Sequence, residues 1–259
     1  DFCLSRGLGD VYKRQGVGGF GGAGGNADAV SVDRGTDAPN SITTFGANAS
    51  GLVAQSIGGG GGIAGMNLGL AIGRQTNAGA GTPDTYGATI VVGGSGGAAG
   101  NAGAVDVAHT GDITTLGTNS DAITAQSIGG GGGSANYSIG LGRFAGAKAA
   151  ANIGIGGGAG DGGFGDAVTV AHTGLLSTRG TDAMGIRAQS IGGGGGNTAL
   201  TLALALSVEN KLSFTMGRFG GDGGVGGNVS VAAAGQISTT GQGGTAIFAQ
   251  SVGGGGGTS

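Results

Sequence analysis

AQSIGGGGG occupies Ala54–Gly62, returns at Ala125–Gly133 and Ala188–Gly196, and reappears as AQSVGGGGG at Ala249–Gly257. Gln55, Gln126, Gln189 and Gln250 are separated by 71, 63 and 61 residues. Self-similarity on this scale marks a repeat architecture, in which each unit buries its apolar face only against its neighbours. That decides how the composition is read. Glycine supplies 71 of 259 residues, a level that without a period would indicate a low-complexity, disordered chain.

Each unit keeps one internal order. A glycine tract (GGSGGAAGNAG from Gly93, GGGAGDGGFGD from Gly156, GGDGGVGGN from Gly220) leads to a short strand pattern, VDV at Val105, VTV at Val168 or VSV at Val229. GDITTLGT, GLLSTRGT or GQISTTGQ follows, and then a second apolar strand runs into AQSI or AQSV. From Val107 to Gln126, Val170 to Gln189 and Val231 to Gln250 the interval is 19 residues; Val32 to Gln55 is four longer, and the turn around Pro39 is the expected place for the excess. The spacers alternate apolar and small residues at Met66–Ile72, Tyr137–Leu141 and Leu200–Val208, which is the period of a strand with two distinct faces.

These patterns predict an all-β chain folded as a parallel β-solenoid, right-handed and β-helix-like, built from repeats of about 61–71 residues with glycine-rich corners and loops. About three coils of roughly twenty residues are expected per repeat. The glycine tracts are read as tight corners or mobile loops, with a stacked polyglycine-type bundle as the runner-up. In AQSI the Ile or Val is expected to face the core.

Ser5–Gln15 reads SRGLGDVYKRQ, which in one frame spells the end of a transposase-type sequencing-library adapter. Residues 1–15 are therefore read as adapter-derived and unstructured, and 16–259 as one repetitive fragment with units 16–62, 63–133, 134–196 and 197–257. Cys3 falls in the excluded piece, so the rest has no thiol for a disulfide, a zinc ligand or a nucleophile. From Gly16 onward eight Lys/Arg face twelve Asp/Glu, a formal charge of −4. Weak acidity without a basic cluster argues against a nucleic-acid partner. No apolar run approaches a membrane-spanning length, and an export signal is expected upstream.

The catalytic patterns are weak against this background. Five glycines satisfy GxGxxG trivially, but no helix follows, and the dinucleotide site needs one. Ser56, Ser127, Ser190 and Ser251 resemble nucleophile elbows, as does Ser95 in GGSGG; four equivalent serines fit a structural ladder better than one active site. His109 and His172 share the context VAHTG, and three coils per repeat would put them ~14 Å apart, on an outward polar position. Asp161, Asp166 and Asp222 read as solvated turn residues, although GGAGGNADA and GGVGGNVSV approach a calcium β-roll repeat. Thr114–Thr115, Ser177–Thr178 and Ser238–Thr240 recur as hydroxyl arrays of the kind that can bind ice. No catalytic, cofactor-binding or metal-binding residue is assigned, no cofactor or small-molecule substrate is expected, and the segment is read as non-enzymatic.

The order GGxGG, VxV, GxIxT, AQSIGGGGG resembles the glycine-rich passenger repeats of bacterial autotransporters. That resemblance implies export, passage through a C-terminal outer-membrane β-barrel, and display on the cell surface. The implied role is a stalk or an adhesion or self-association surface, with a host surface, a neighbouring cell or another copy as partner. An inert scaffold for a domain outside this fragment is the alternative, and a calcium- or ice-binding solenoid the third reading.

Overall fold

A computed structural model describes residues 11–35, 41–74, 86–145, 149–206 and 210–259. Among these every regular element is a strand, and every strand pair is parallel. The first coil contains β1 (Val11–Val17), β2 (Val30–Arg34), β3 (Ile42–Thr44), β4 (Leu52–Ile57) and β5 (Asn67–Arg74). The second contains β6 (Tyr86–Val92), β7 (Val105–Thr110), β8 (Ile113–Thr115), β9 (Ile123–Ile128) and β10 (Ser138–Ala145). The third contains β11 (Ala149–Ile155), β12 (Val168–Thr173), β13 (Leu176–Thr178), β14 (Ile186–Ile191) and β15 (Thr201–Leu206). The fourth contains β16 (Asn210–Met216), β17 (Val229–Ala234), β18 (Ile237–Thr239) and β19 (Ile247–Val252). Equivalent strands stack into five sheets, A to E in coil order: β1-β6-β11-β16, β2-β7-β12-β17, β3-β8-β13-β18, β4-β9-β14-β19 and β5-β10-β15.

One repeat is thus one coil, where three were expected. Gln55, Gln126, Gln189 and Gln250 are direct register neighbours. The expectation of three coils treated ~20 residues as enough to close a turn; here a single turn visits five sheets and two glycine tracts. Val11–Gln15, expected to be unstructured, pair with Tyr86–Ile90 in sheet A, because a parallel ladder needs only backbone groups. Sheet register also locates the four extra residues of the first copy. Arg34 and Ile42 stand opposite His109 and Ile113, so the excess lies between them; Pro39 is outside the described residues.

Sheets B, C and D enclose a three-sided prism. Val105, Val107, Ile113, Ile123, Leu176 and Ile186 point into it and are buried, and their alternation partners point out. The turns are set by local backbone demands. Gly111, Gly174 and Gly235 adopt φ of 136°, 135° and 128° between sheets B and C, a region L side chains avoid. After sheet C, Asn48, Asn119 and Asp182 take φ of 56°, 53° and 53°, with Gly243 at 74°. Asn and Asp tolerate this left-handed position best among side-chain-bearing residues.

The glycine tracts form neither loops nor corners, and here the polyglycine alternative is the one observed. Gly18, Gly21, Gly24 and Ala27 donate N–H to the carbonyls of Val92, Ser95, Ala98 and Asn101 in the next coil, one bond every third residue. That is the period of a left-handed, three-residue-per-turn extended helix without internal hydrogen bonds. The tract before sheet E runs the opposite way and zips onto the first: Gly59, Gly62 and Gly65 donate to Gly25, Gly22 and Gly19. Gly97 and Gly100 then donate to Gly62 and Gly59, and Gly130 and Gly133 to Gly100 and Gly97. Two of every three positions therefore touch another backbone. A Cβ on Gly160 would lie 1.9 Å from the Gly97 carbonyl oxygen, so close approach demands glycine there. The third position faces outward and carries the residues larger than alanine, including Phe20, Asn26, Asn101, Asp161, Phe164 and Phe219.

Sheets A and E pack face to face as a wing on the far side of this bundle. Their facing sides carry Asn67, Thr89, Ser138, Gly140, Asn152 and Thr201, with Phe144 only 1% exposed among them.

Candidate functional site

The residues of the AQSI strand have separate structural tasks. Ala54, Ala125 and Ala188 line the prism core. Gln55, Gln126, Gln189 and Gln250 face outward and form an amide ladder, each Nε2 donating to the next Oε1 at 2.5, 2.7 and 3.0 Å. The serines point inward. Ser127 Oγ donates to Gly103 O at 2.9 Å and accepts from Asp166 N, one coil on, at 2.8 Å. Ser56 does the same with Asp28 and Gly103, and Ser190 with Asp166 and Gly227. A hydroxyl saturated by two backbone groups is cement between coils, which is the ladder role expected of it. The Ile was misplaced: parity puts Ile57 outside with Gln55, because the inward position is occupied by the bridging serine.

His109 and His172 also depart from expectation. They are 2% and 3% exposed, point into the prism and stand in register. Their rings stack at 5.3 Å with 10° between planes, and the two Nδ1 atoms lie 3.3 Å apart. The one-coil repeat brings them together, where three coils would have separated them. An Nδ1–Nδ1 hydrogen bond requires one ring to donate and the other to accept, so the pair is compatible with two neutral imidazoles. Burial first, and then the charge of His109, pushes His172 below its ordinary pKa of 6.5; Asp112 and backbone hydrogen bonds oppose this.

The hydroxyl arrays are half internal. Thr115 and Thr178 are buried and donate to Ser120 O and Ala183 O, leaving a row one residue wide, Thr114 and Ser177, on the outer face. Ser95 occupies an outward bundle position and accepts from Gly158 N at 3.3 Å. Asp161, Asp166 and Asp222 are exposed, as read, but sit on the bundle instead of in turns; Asp161 caps Asp222 N at 3.0 Å. Asp121 is buried and holds three partners: Arg187 at 2.9 Å, Thr124 at 3.0 Å and Met184 N at 2.8 Å. It ties the second coil to the third. Among the described residues no three His, Cys, Asp or Glu side chains gather as a metal site.

What the sequence reading missed is the polarity of the wing. The apolar residues of the spacer ladders face out. Leu68, Leu70 and Ile72 are 62%, 54% and 68% exposed. Register stacks Leu68, Ile139 and Leu202 in one row and Leu70, Leu141 and Leu204 in the next. Sheet A matches this with Ile90, Ile153 and Phe214 in one outer row. Inside, Thr89 Oγ1, Ser138 Oγ, Asn152 Oδ1 and Thr201 Oγ1 are buried without a hydrogen-bond partner. Small residues are placed inside because space is short: a Cβ on Gly140 would meet Val91 at 2.7 Å, and one on Gly87 the Phe144 ring at 2.4 Å. The signal was available in Gly69, Gly140, Gly142, Ala203 and Ala205, which leave the intervening positions too small for an ordinary core. Val208 lies outside the described residues.

The open depressions among the described residues border the outer end of sheet A, at Tyr86, Ala150 and Lys211, and the region of Arg218 and Phe219. Neither gathers a nucleophile with a base. No family model, no curated protein and no solved structure matches this chain.

Proposed function

We propose that this chain is a non-enzymatic structural segment of a cell-surface passenger of the autotransporter type, working through its broad lateral faces in adhesion or self-association. The observation that carries the reading is one coil per repeat. Each addition of 61–71 residues advances the stack by only ~4.8 Å, the spacing of neighbouring strands. Such a design is poor at reach and generous in lateral surface, so it supports a contact surface over a stalk. The absence of cysteine after Cys3 supports export, since nothing can cross-link before threading through a barrel. Ser56, Ser127, Ser190 and the paired His109 and His172 are occupied in holding coils together, which supports a role without chemistry.

The test is display of residues 16–259 on a heterologous outer-membrane barrel. Protease accessibility from outside and several-fold faster settling than barrel-only cells are expected. Retention in the periplasm would defeat the passenger reading. Efficient display with unchanged settling would leave the scaffold alternative.

A further inference from the structure

The wing holds only small apolar residues, Val91 and Phe144 beside unpartnered polar atoms between its layers, while its larger Leu and Ile side chains cover the outer faces. Contiguous exposed apolar surface of this kind marks an interaction site. We infer that the outer face of sheet E is where two copies of this chain pair, sheet on sheet, with Leu70, Leu141 and Leu204 at the centre. This deepens the self-association reading and rests on it.

Three observations select a second copy as occupant. The first is pitch. Leu68, Ile139 and Leu202, and Leu70, Leu141 and Leu204, are register-matched ladders repeating at ~4.8 Å. A second copy carries the same ladders at the same spacing, so its side chains interdigitate over every coil, as identical sheet faces do. The second is area. Six apolar side chains of sheet E are between 38% and 68% exposed, and Met66, Tyr137 and Leu200, just ahead of its strands, between 53% and 66%; at ~100 Å² per side chain the nine offer roughly 500 Å² per copy. A pair would bury about 1,000 Å², the lower bound for a specific interface, and each further coil would enlarge it. The third is Arg143. It is exposed in the same outer row, between Ile72 and Leu206, at the distal rim of the face. A rim guanidinium stays hydrated in a protein pair but would have to be desolvated or snorkel if the face entered hydrocarbon. These favour the copy over a bilayer. An isologous arrangement closes as a dimer.

The 259-residue chain, carrying Cys3→Ser throughout, is examined by sedimentation velocity across a hundred-fold concentration range. A concentration-dependent dimer is expected, weakened at least ten-fold by Leu141→Lys with Leu204→Lys and unaffected by Thr169→Lys on the exposed side of sheet B. Far-UV circular dichroism checks that each variant is folded. Leu141→Cys provides a second route that adds no charge. Under mild oxidant it should form a covalent dimer, whereas Thr169→Cys should not. A monomer at all concentrations overturns the inference, as does a dimer abolished by Ile153→Lys on sheet A but retained by the sheet E variant. Flotation of a monomeric protein on 3:1 phosphatidylcholine–phosphatidylglycerol vesicles, lost in the sheet E variant, overturns it in favour of a lipid surface. If displayed cells settle rapidly and the sheet E variant settles equally fast, self-association survives and this surface is wrong. If wild-type cells fail to settle, the broader reading fails first.

Discussion

The prism and the wing are made of parallel strands in the same coils, yet they fill their interiors differently: branched aliphatic ladders in the prism, small and polar side chains with one Phe and one Val in the wing. In the prism Val107 and Val170 point inward and are buried, while the register pair Asp106 and Thr169 faces water. In the wing Ser138 and Thr201 point inward and Ile139 and Leu202 outward. Alternation is equally regular in both. A period of two states that a strand has two faces, but only the neighbour across the layer decides which becomes the interior. In the prism three sheets leave room for branched side chains. In the wing two sheets held close by the glycine bundle leave room mostly for Gly, Ala, Ser, Thr and Asn, with Val91 and Phe144 the only larger apolar side chains buried there among the described residues.

The comparison assumes that both regions depend on the bundle, and the largest effect tests that. Gly160→Ala places a Cβ 1.9 Å from a backbone oxygen that cannot move without parting the coils, so a loss of at least ~3 kcal/mol is expected. Gly131→Ala, with no backbone atom nearer than 4.0 Å, should lie within ~1 kcal/mol of wild type. Urea unfolding followed by circular dichroism compares them; equal effects would show that the bundle does not hold the coils. An intermediate effect tests the polarity itself. Ile186→Ala in the prism should cost ~2–4 kcal/mol, and Leu141→Ala, half-buried on the outer wing, no more than ~1 kcal/mol for the unassociated chain. A larger loss at Leu141 would mean that the wing's outer face is a folding core.

The smallest effect concerns the histidine pair inside the prism. Because His172 is held below 6.5 in the fold, the unfolded chain takes up the proton first on acidification. Stability should be level above pH 7 and fall below pH 6.5, by at most ~1.4 kcal/mol per pH unit for one proton. Below the folded-state pKa this loss should level off. His172→Ala, the residue carried at the equivalent Ala233, should reduce that slope while lowering the plateau through lost packing. Thermal midpoints between pH 5 and 7.5 read both, and an unchanged slope would remove His172 as its source.

Much of the fold was legible. The Gln interval named the repeat, the VxV pattern and the apolar run into AQSI named strands of sheets B and D, and fourfold repetition marked the serines as ladder positions. The coil length was not legible, because a 63-residue interval divides as readily into three short turns as into one long one. That ambiguity set His109 and His172 too far apart, while their parity with Val107 and Val170 puts both inside. The glycine tracts were ambiguous for a different reason: entropy makes isolated glycine a poor builder, and only backbone-to-backbone packing in three dimensions reverses that. GGX spacing contained the clue, since one position in three tolerates Phe, Asn or Asp.

By itself, then, the sequence determined that the chain is a repetitive, all-β, parallel stack whose equivalent residues meet in ladders. Local alternation, turn chemistry and period are properties of the string. Tertiary structure alone decided how far the chain travels before it returns to itself, and which face of each strand is inside. Both depend on which sheets stand opposite one another and how closely. Here a backbone-only glycine bundle sets that distance, giving the prism an apolar interior and turning the wing's apolar side chains outward.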